Sequence, residues 1–178
     1  ILIKPAPGLT ITGHEAGLCL DSSLTLTSSG AGTNKDYTWF LISTTDTTEI
    51  QGTGTNKNSI TVRPGNAGTY QYQVEAADND GCIGKTTALL SVFENPTVTI
   101  TPEKSAYCVN EVAKVTAQGG NSYSWTLYDQ NKTNSIGDAT GPEIILPLAQ
   151  TTYFEVIAQD VHGCKSNPQH TIITAKPY

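Results

Sequence analysis

Apolar and polar residues alternate in short runs along most of this chain. Ser23-Leu24-Thr25-Leu26-Thr27 puts leucine at every second position, the period of a strand with one buried face. Ser59-Ile60-Thr61-Val62 and the run from Tyr70 to Ala77 repeat the pattern. Tyr37 to Ile42 and Thr86 to Phe93 read as two further strands, Leu9 to Ile11 as the first of the set, and Ile50 as part of a short connecting strand. Pro64-Gly65 and other Gly- and Asn-rich points supply turns between them. No segment of ten or more residues carries a helical period. An all-β chain with almost no helix is therefore expected. Leu24, Leu26, Trp39, Ile60, Val62, Tyr72, Val74, Leu89 and Leu90 are the core candidates of the first half.

The pattern occurs twice. Pro7-Gly8-Leu9-Thr10-Ile11-Thr12 matches Pro96-Thr97-Val98-Thr99-Ile100-Thr101 at an offset of 89, and Cys19 matches Cys108 at the same offset. Tyr37-Thr38-Trp39 matches Tyr123-Ser124-Trp125 at 86. Tyr72, Val74 and Ala76 match Phe154, Val156 and Ala158 at 82, and Cys82 matches Cys164 there too. The falling offset marks two deletions in the second copy, of the kind loops accept. The expected division is a first domain over residues 5–94 and a second over 95–178. Ile1-Leu2-Ile3-Lys4 align with Leu90-Ser91-Val92-Phe93, so residues 1–4 read as the tail of an earlier repeat or a linker, and the chain as a piece of a longer array.

Composition narrows the classes of function. The 178 residues carry 16 acidic and 10 basic side chains, a net charge of −6, with Arg63 the single arginine. That balance excludes a nucleic-acid surface, which needs clustered Lys and Arg. No apolar run approaches the roughly 20 residues of a membrane-spanning helix, so direct membrane insertion is not expected. No G-x-S-x-G, H-E-x-x-H or P-loop pattern is present. His14, His162 and His170 share no spacing with a nucleophile, and no catalytic residue is assigned.

The run Asn66 to Val74, "NAGTYQYQV", resembles the immunoglobulin-type run that opens strand F. The resemblance makes Tyr70 the tyrosine-corner residue and gives Trp39 the place of the strand-C tryptophan. Tyr72 stands where antibody domains have a cysteine, and Thr152 replaces the corner tyrosine in copy two. The fuller pattern, C-[LV]-[DN]-x-x-[LA]-x-[LV]-T, then Y-[TS]-W, then a second G-C, is similar to the Ig-like or PKD-like repeats of large bacterial surface proteins. Among these it resembles adhesins of the type IX secretion and gliding-motility type. What this implies is two tandem immunoglobulin-like β-sandwiches, with Trp39, Trp125, Tyr70, Tyr72 and Phe154 as core structural residues.

Two cysteines per copy read as a disulfide framework of Cys19, Cys82, Cys108 and Cys164, and hence an oxidising compartment outside the cytoplasm. Two pairings are open. The resemblance favours one bond per copy, Cys19–Cys82 and Cys108–Cys164. Immunoglobulin topology puts Cys19 and Cys82 at opposite ends of the sandwich, about 20 Å apart along strand B, whereas a disulfide needs Cα atoms within about 7 Å. The alternative is a bond between copies, Cys19–Cys164. Asp78-Asn79-Asp80-Gly81 is a partial match to a calcium loop, with Asp78 and Asp80 as the candidate ligands, but a turn of this composition needs no metal. No other cofactor is expected. Tyr37, Tyr123 and Tyr128 are candidates for a sugar-stacking surface.

The reading that follows is a non-catalytic stalk or spacer of a cell-surface or secreted bacterial protein, partnered by neighbouring repeats of the same polypeptide. The alternatives are a module that binds a surface glycan or protein, and an accessory domain of a secreted hydrolase.

Overall fold

The computed structural model describes residues 4–177. Of the expected tail, residues 1–3 lie outside the described residues. The chain folds as two compact units, one ending at Glu94 and one beginning at Asn95. Each is an Ig- or fibronectin-III-like sandwich of a three-stranded and a five-stranded sheet.

In the first unit β1 (Thr10–Thr12), β3 (Leu24–Ser29) and β6 (Ser59–Val62) form the smaller sheet in the order β1-β3-β6. The larger sheet runs β2 (Leu18–Cys19), β8 (Ile83–Phe93), β7 (Gly68–Ala77), β4 (Tyr37–Ile42) and β5 (Thr47–Ile50). The only helical element among the described residues is a short 3-10 turn, Thr55–Lys57. The second unit repeats the plan. β9 (Thr99–Pro102), β11 (Val112–Gln118) and β14 (Glu143–Pro147) form one sheet. β10 (Ala106–Cys108), β16 (Gln169–Lys176), β15 (Thr152–Gln159), β12 (Ser122–Asp129) and β13 (Ser135–Thr140) form the other, in that order.

Strand alternation builds both cores. Tyr72, Val74 and Ala76 of β7 point inward, as do Phe154, Val156 and Ala158 of β15. Trp39 and Trp125 are fully buried, and each indole N–H still donates to a backbone carbonyl, Lys57 at 3.0 Å and Gly141 at 2.9 Å. The outward face of the smaller sheet in the first unit is lined with hydroxyls. Thr10 meets Ser29, Thr25 meets Thr61 and Thr27 meets Ser59 across neighbouring strands. Their partners are small and local, so the face is polar without being charged.

Two sequence expectations change. Leu89 is 59% exposed. Successive residues on a strand face opposite ways, and β8 turns Ala88, Leu90 and Val92 inward. The first strand is also not one strand. The chain pairs with β3 over Thr10–Thr12, then crosses to the other sheet, where Leu18–Cys19 pairs in parallel with the last residues of β8. The second unit makes the same switch from β9 to β10, which pairs in parallel with β16.

Burial of the two indoles sets the first testable outcome. Trp39→Ala and Trp125→Ala should each cost about 3–5 kcal/mol of the stability of their own unit, as large-to-small core changes do. Chemical denaturation followed by far-UV circular dichroism would detect it, with the remaining tryptophan reporting the unsubstituted unit. A loss below about 1 kcal/mol would show that the indole does not organise the core.

Candidate functional site

Each of the four cysteines sits in one of two settings, and the settings recur between units. Cys82 and Cys164 close the same turn. Asp78 Oδ1 accepts the backbone N–H groups of Asp80 and Cys82, both at 2.9 Å. Asp160 Oδ1 accepts those of His162 and Cys164 at 2.9 and 2.8 Å. The Asp78 and Asp160 amides donate to the Cys82 and Cys164 carbonyls at 2.9 and 3.0 Å. Gly81 and Gly163 hold φ of 87° and 85°, the left-handed region glycine enters without strain. The Asp-x-x-Gly-Cys spacing is thus explained atom by atom: an Asx turn needs the aspartate, the reversal needs the glycine, and the cysteine is fixed by what precedes it.

Cys19 and Cys108 sit on the short parallel strands. Cys19 lies opposite Phe93, and Cys108 opposite Lys176. The next amide in each case donates back to that partner strand, Leu20 to the Phe93 carbonyl at 2.8 Å and Val109 to the Lys176 carbonyl at 2.9 Å. Two residues past each cysteine, Asp21 and Asn110 adopt φ of 66° and 65°.

Cys19 and Cys164 are disulfide-bonded, while Cys82 and Cys108 are free. Of the two pairings left open by the sequence, one bond per copy is not formed, and Cys82 and Cys108 drop out of the expected framework. The reason is length. Cys82 precedes Ile83 at one end of β8, and Cys19 lies beside Phe93 at the other. Ten residue steps at about 3.3 Å separate those ends by about 33 Å. In the second unit β16 interposes its full length, Gln169–Lys176, between Cys164 and the partner of Cys108, about 23 Å. Neither span fits a Cα separation of about 7 Å.

The acidic turn that was the calcium candidate is occupied by a side chain. The Lys4 ammonium lies 3.4 Å from Asp78 Oδ2 and is ion-paired to Asp80. Burial pushes the Asp78 carboxyl up, but the amide bonds from Cys82 and Asp80 and the charge of Lys4 outweigh it, so its pKa falls below the ordinary value. Among the described residues no group of three or more His, Cys, Asp or Glu side chains is placed to hold a metal ion.

Tyr37 and Tyr123, two of the three aromatic candidates, are buried at 8% and 9% exposure. Their hydroxyls accept the amides of Ala31 and Gly120, both at 3.0 Å. Tyr128 does lie on an outer face. It meets Tyr153 edge-on at 6.1 Å, and Tyr153 stacks on His170 at 5.1 Å. Sequence reasoning missed the last two because they sit on other strands, β15 and β16. The cluster is closed on itself. Lys132 stands 5.6 Å and 4.9 Å from the Tyr128 and Tyr153 ring centroids while ion-paired to Glu155. Of the core aromatics, Tyr70 donates its hydroxyl to the Asn66 carbonyl at 2.9 Å, and Thr152 does the corresponding work in the second unit by donating to Gln150. A surface hollow on the first unit, lined by Leu41, Ile42, Thr69, Tyr70 and Leu89 among others, brings no nucleophile together with a base.

No protein-family profile and no curated protein sequence matches the chain. Solved structures do. The fibronectin(III)-like modules of Clostridium thermocellum CbhA are 18% identical, with 96% of this chain and 95% of that one covered at a TM-score of 0.52. A 1.5-MDa bacterial ice-binding adhesin is 13% identical over 98% of this chain at 0.51. A Ca2+-stabilized adhesin of an Antarctic bacterium is also 13% identical over 98% of this chain at 0.51. The chain spans 65% and 49% of those two adhesin chains. These likenesses show the fold: tandem Ig- and fibronectin-III-like sandwich modules.

One turn in the second unit supplies a pH test. Asp129 Oδ1 accepts the Thr133 backbone amide at 2.8 Å, and Oδ2 accepts the Thr133 hydroxyl at 2.6 Å and the Asn134 side-chain Nδ2 at 2.9 Å. The Thr133 hydroxyl, then its amide, then Asn134 lower the Asp129 pKa from 3.8 to about 2. A depressed carboxyl stabilises the fold above its unfolded pKa, and that contribution disappears as pH falls through the folded one. The melting temperature of the natural chain should exceed that of Asp129→Asn at neutral pH, and the gap should close between pH 3.8 and about 2. A gap independent of pH would show that the charge plays no part.

Proposed function

We propose that the chain is a non-catalytic spacer in an extracytoplasmic adhesin-type protein, built from two tandem sandwiches. The carrying observation is that one sandwich plan is built twice, with the same sheet switch in each unit, and that Cys19 and Cys164 are disulfide-bonded. A bond of this kind persists in an oxidising compartment, which supports a location outside the cytoplasm. No described helix is long and apolar enough to cross a membrane. The repeat and the small hydroxyl-lined outer face suit a module of a bacterial surface array better than a ligand grip. The closed cluster around Tyr153 leaves no open aromatic platform to favour glycan binding.

Pulling single molecules by their ends tests the spacer reading. In reductant each sandwich should unfold as one unit, so the chain should extend in two discrete steps of module length. Extension without discrete steps would sink the proposal.

A further inference from the structure

One triplet in the sequence has asparagine followed two residues later by Ser or Thr with no proline between: Asn131-Lys132-Thr133. Asn95-Pro96-Thr97 has the spacing, but its proline disqualifies it as an acceptor. The triplet lies in the turn between β12 and β13, and all three of its residues are exposed. β13 is the outermost strand of its sheet, so no further strand of that sheet stands beyond this tip.

Turn formation explains the neighbours of Asn131 but not Asn131 itself. Asp129 holds the Thr133 backbone amide, the Thr133 hydroxyl and the Asn134 side chain. The backbone amide of Asn131 also favours the ionised Asp129, but the Asn131 side chain is not among the groups that carboxylate binds. The left-handed position of the turn belongs to Lys132, at φ 55°. Asparagine enters that region more readily than lysine, yet the asparagine stands one place earlier, where φ is ordinary. The matching turn of the first unit, Ser43 to Asp46, closes on the Ser43 hydroxyl and contains no asparagine.

We propose that Asn131 is an attachment site for an N-linked glycan. The donor class is an oligosaccharide carried on a lipid diphosphate. Asn131 Nδ2 bonds to C1 of the first sugar, and the bond from C1 to the diphosphate oxygen breaks. The diphosphate leaves with the electron pair, and Nδ2 releases one proton. Thr133 supplies the hydroxyl that the acceptor triplet requires. In the folded turn that hydroxyl donates to Asp129 Oδ2 at 2.6 Å, so the sugar is added before the second unit closes the turn. Once the turn is closed, the modified side chain points away from the Asp129 network and costs it no hydrogen bond. Acceptor triplets of this kind are used in secreted chains, so the inference rests on the extracytoplasmic reading above.

The test is the mass of the peptide that carries Asn131, taken from chain isolated from the cells that make it. Chymotrypsin is the protease of choice, because trypsin cuts inside the triplet at Lys132. The peptide should carry the added mass of a sugar chain, and fragmentation should place it on Asn131. Asn131→Gln and Thr133→Ala should each lose the sugar, while Thr133→Ser, which keeps the hydroxyl, should retain it. Asn131→Gln leaves the Asp129 network intact, so its loss of sugar does not report misfolding. Sugar that persists in Thr133→Ala, or that sits on another residue, would overturn the proposal. Fractionation of the same cells separates the two readings. An unmodified Asn131 in chain found outside the cytoplasm sinks the glycan alone, whereas chain confined to the cytoplasm sinks the extracytoplasmic reading and the glycan with it.

Discussion

Between Thr12 and Leu18 the chain leaves one sheet and joins the other, and much of the unit follows from that crossing. It sets Leu18 into the core and aligns Cys19 in parallel with the final residues of β8. Had the first strand stayed antiparallel to β3, nothing would cover that edge of β8. Gly17 makes the crossing possible in the first unit: it holds φ of 71°, and a Cβ there would lie 2.6 Å from the Phe93 ring. The second unit crosses without a glycine at the corresponding place, where Ala106 already belongs to β10 and Tyr107 fills the role of Leu18 in the core. Two local solutions reach one topology, so the topology rather than the residue is what the module keeps.

The crossing also separates the two cysteines of a unit. A parallel pair brings together the start of a unit and its last residues, whereas the Asp-x-x-Gly-Cys turn sits where β7 hands over to β8, at the far end of that strand. Strand length then forbids a bond within the unit, whatever the side chains prefer.

The repeat, the sandwich class and the strands were legible because they rest on alternation over several residues and on punctuating Gly and Pro. Trp39, Trp125, Tyr72 and Phe154 could be placed in the core from their positions in such runs. β2 was not legible. Two residues, Leu18 and Cys19, carry no period, and only the partner strand identifies them as a strand. β13 is mostly exposed from Ser135 to Thr140, so its polar sequence reads as a loop. Leu89 beside Leu90 offered two equal candidates for one inward position, and register against β7 decided between them. Tyr128 could be singled out by type, but its companions Tyr153, His170 and Lys132 converge only through strand pairing. The disulfide framework followed from cysteine count; which cysteines could meet depended on the unpredicted crossing.

A parallel pair at the two ends of a unit is loaded in shear when those ends are drawn apart, so its hydrogen bonds must fail together rather than one by one. Yet these ladders are short. Only Leu18 and Cys19 register with β8, and only Ala106, Tyr107 and Cys108 with β16. At about 0.5–1.5 kcal/mol net for each hydrogen bond, so few bonds make a weak clamp. A strand cysteine stands inside each ladder. Once such a clamp lets go, resistance falls to the core of each unit, where the buried indole and the side chains packed around it must part together.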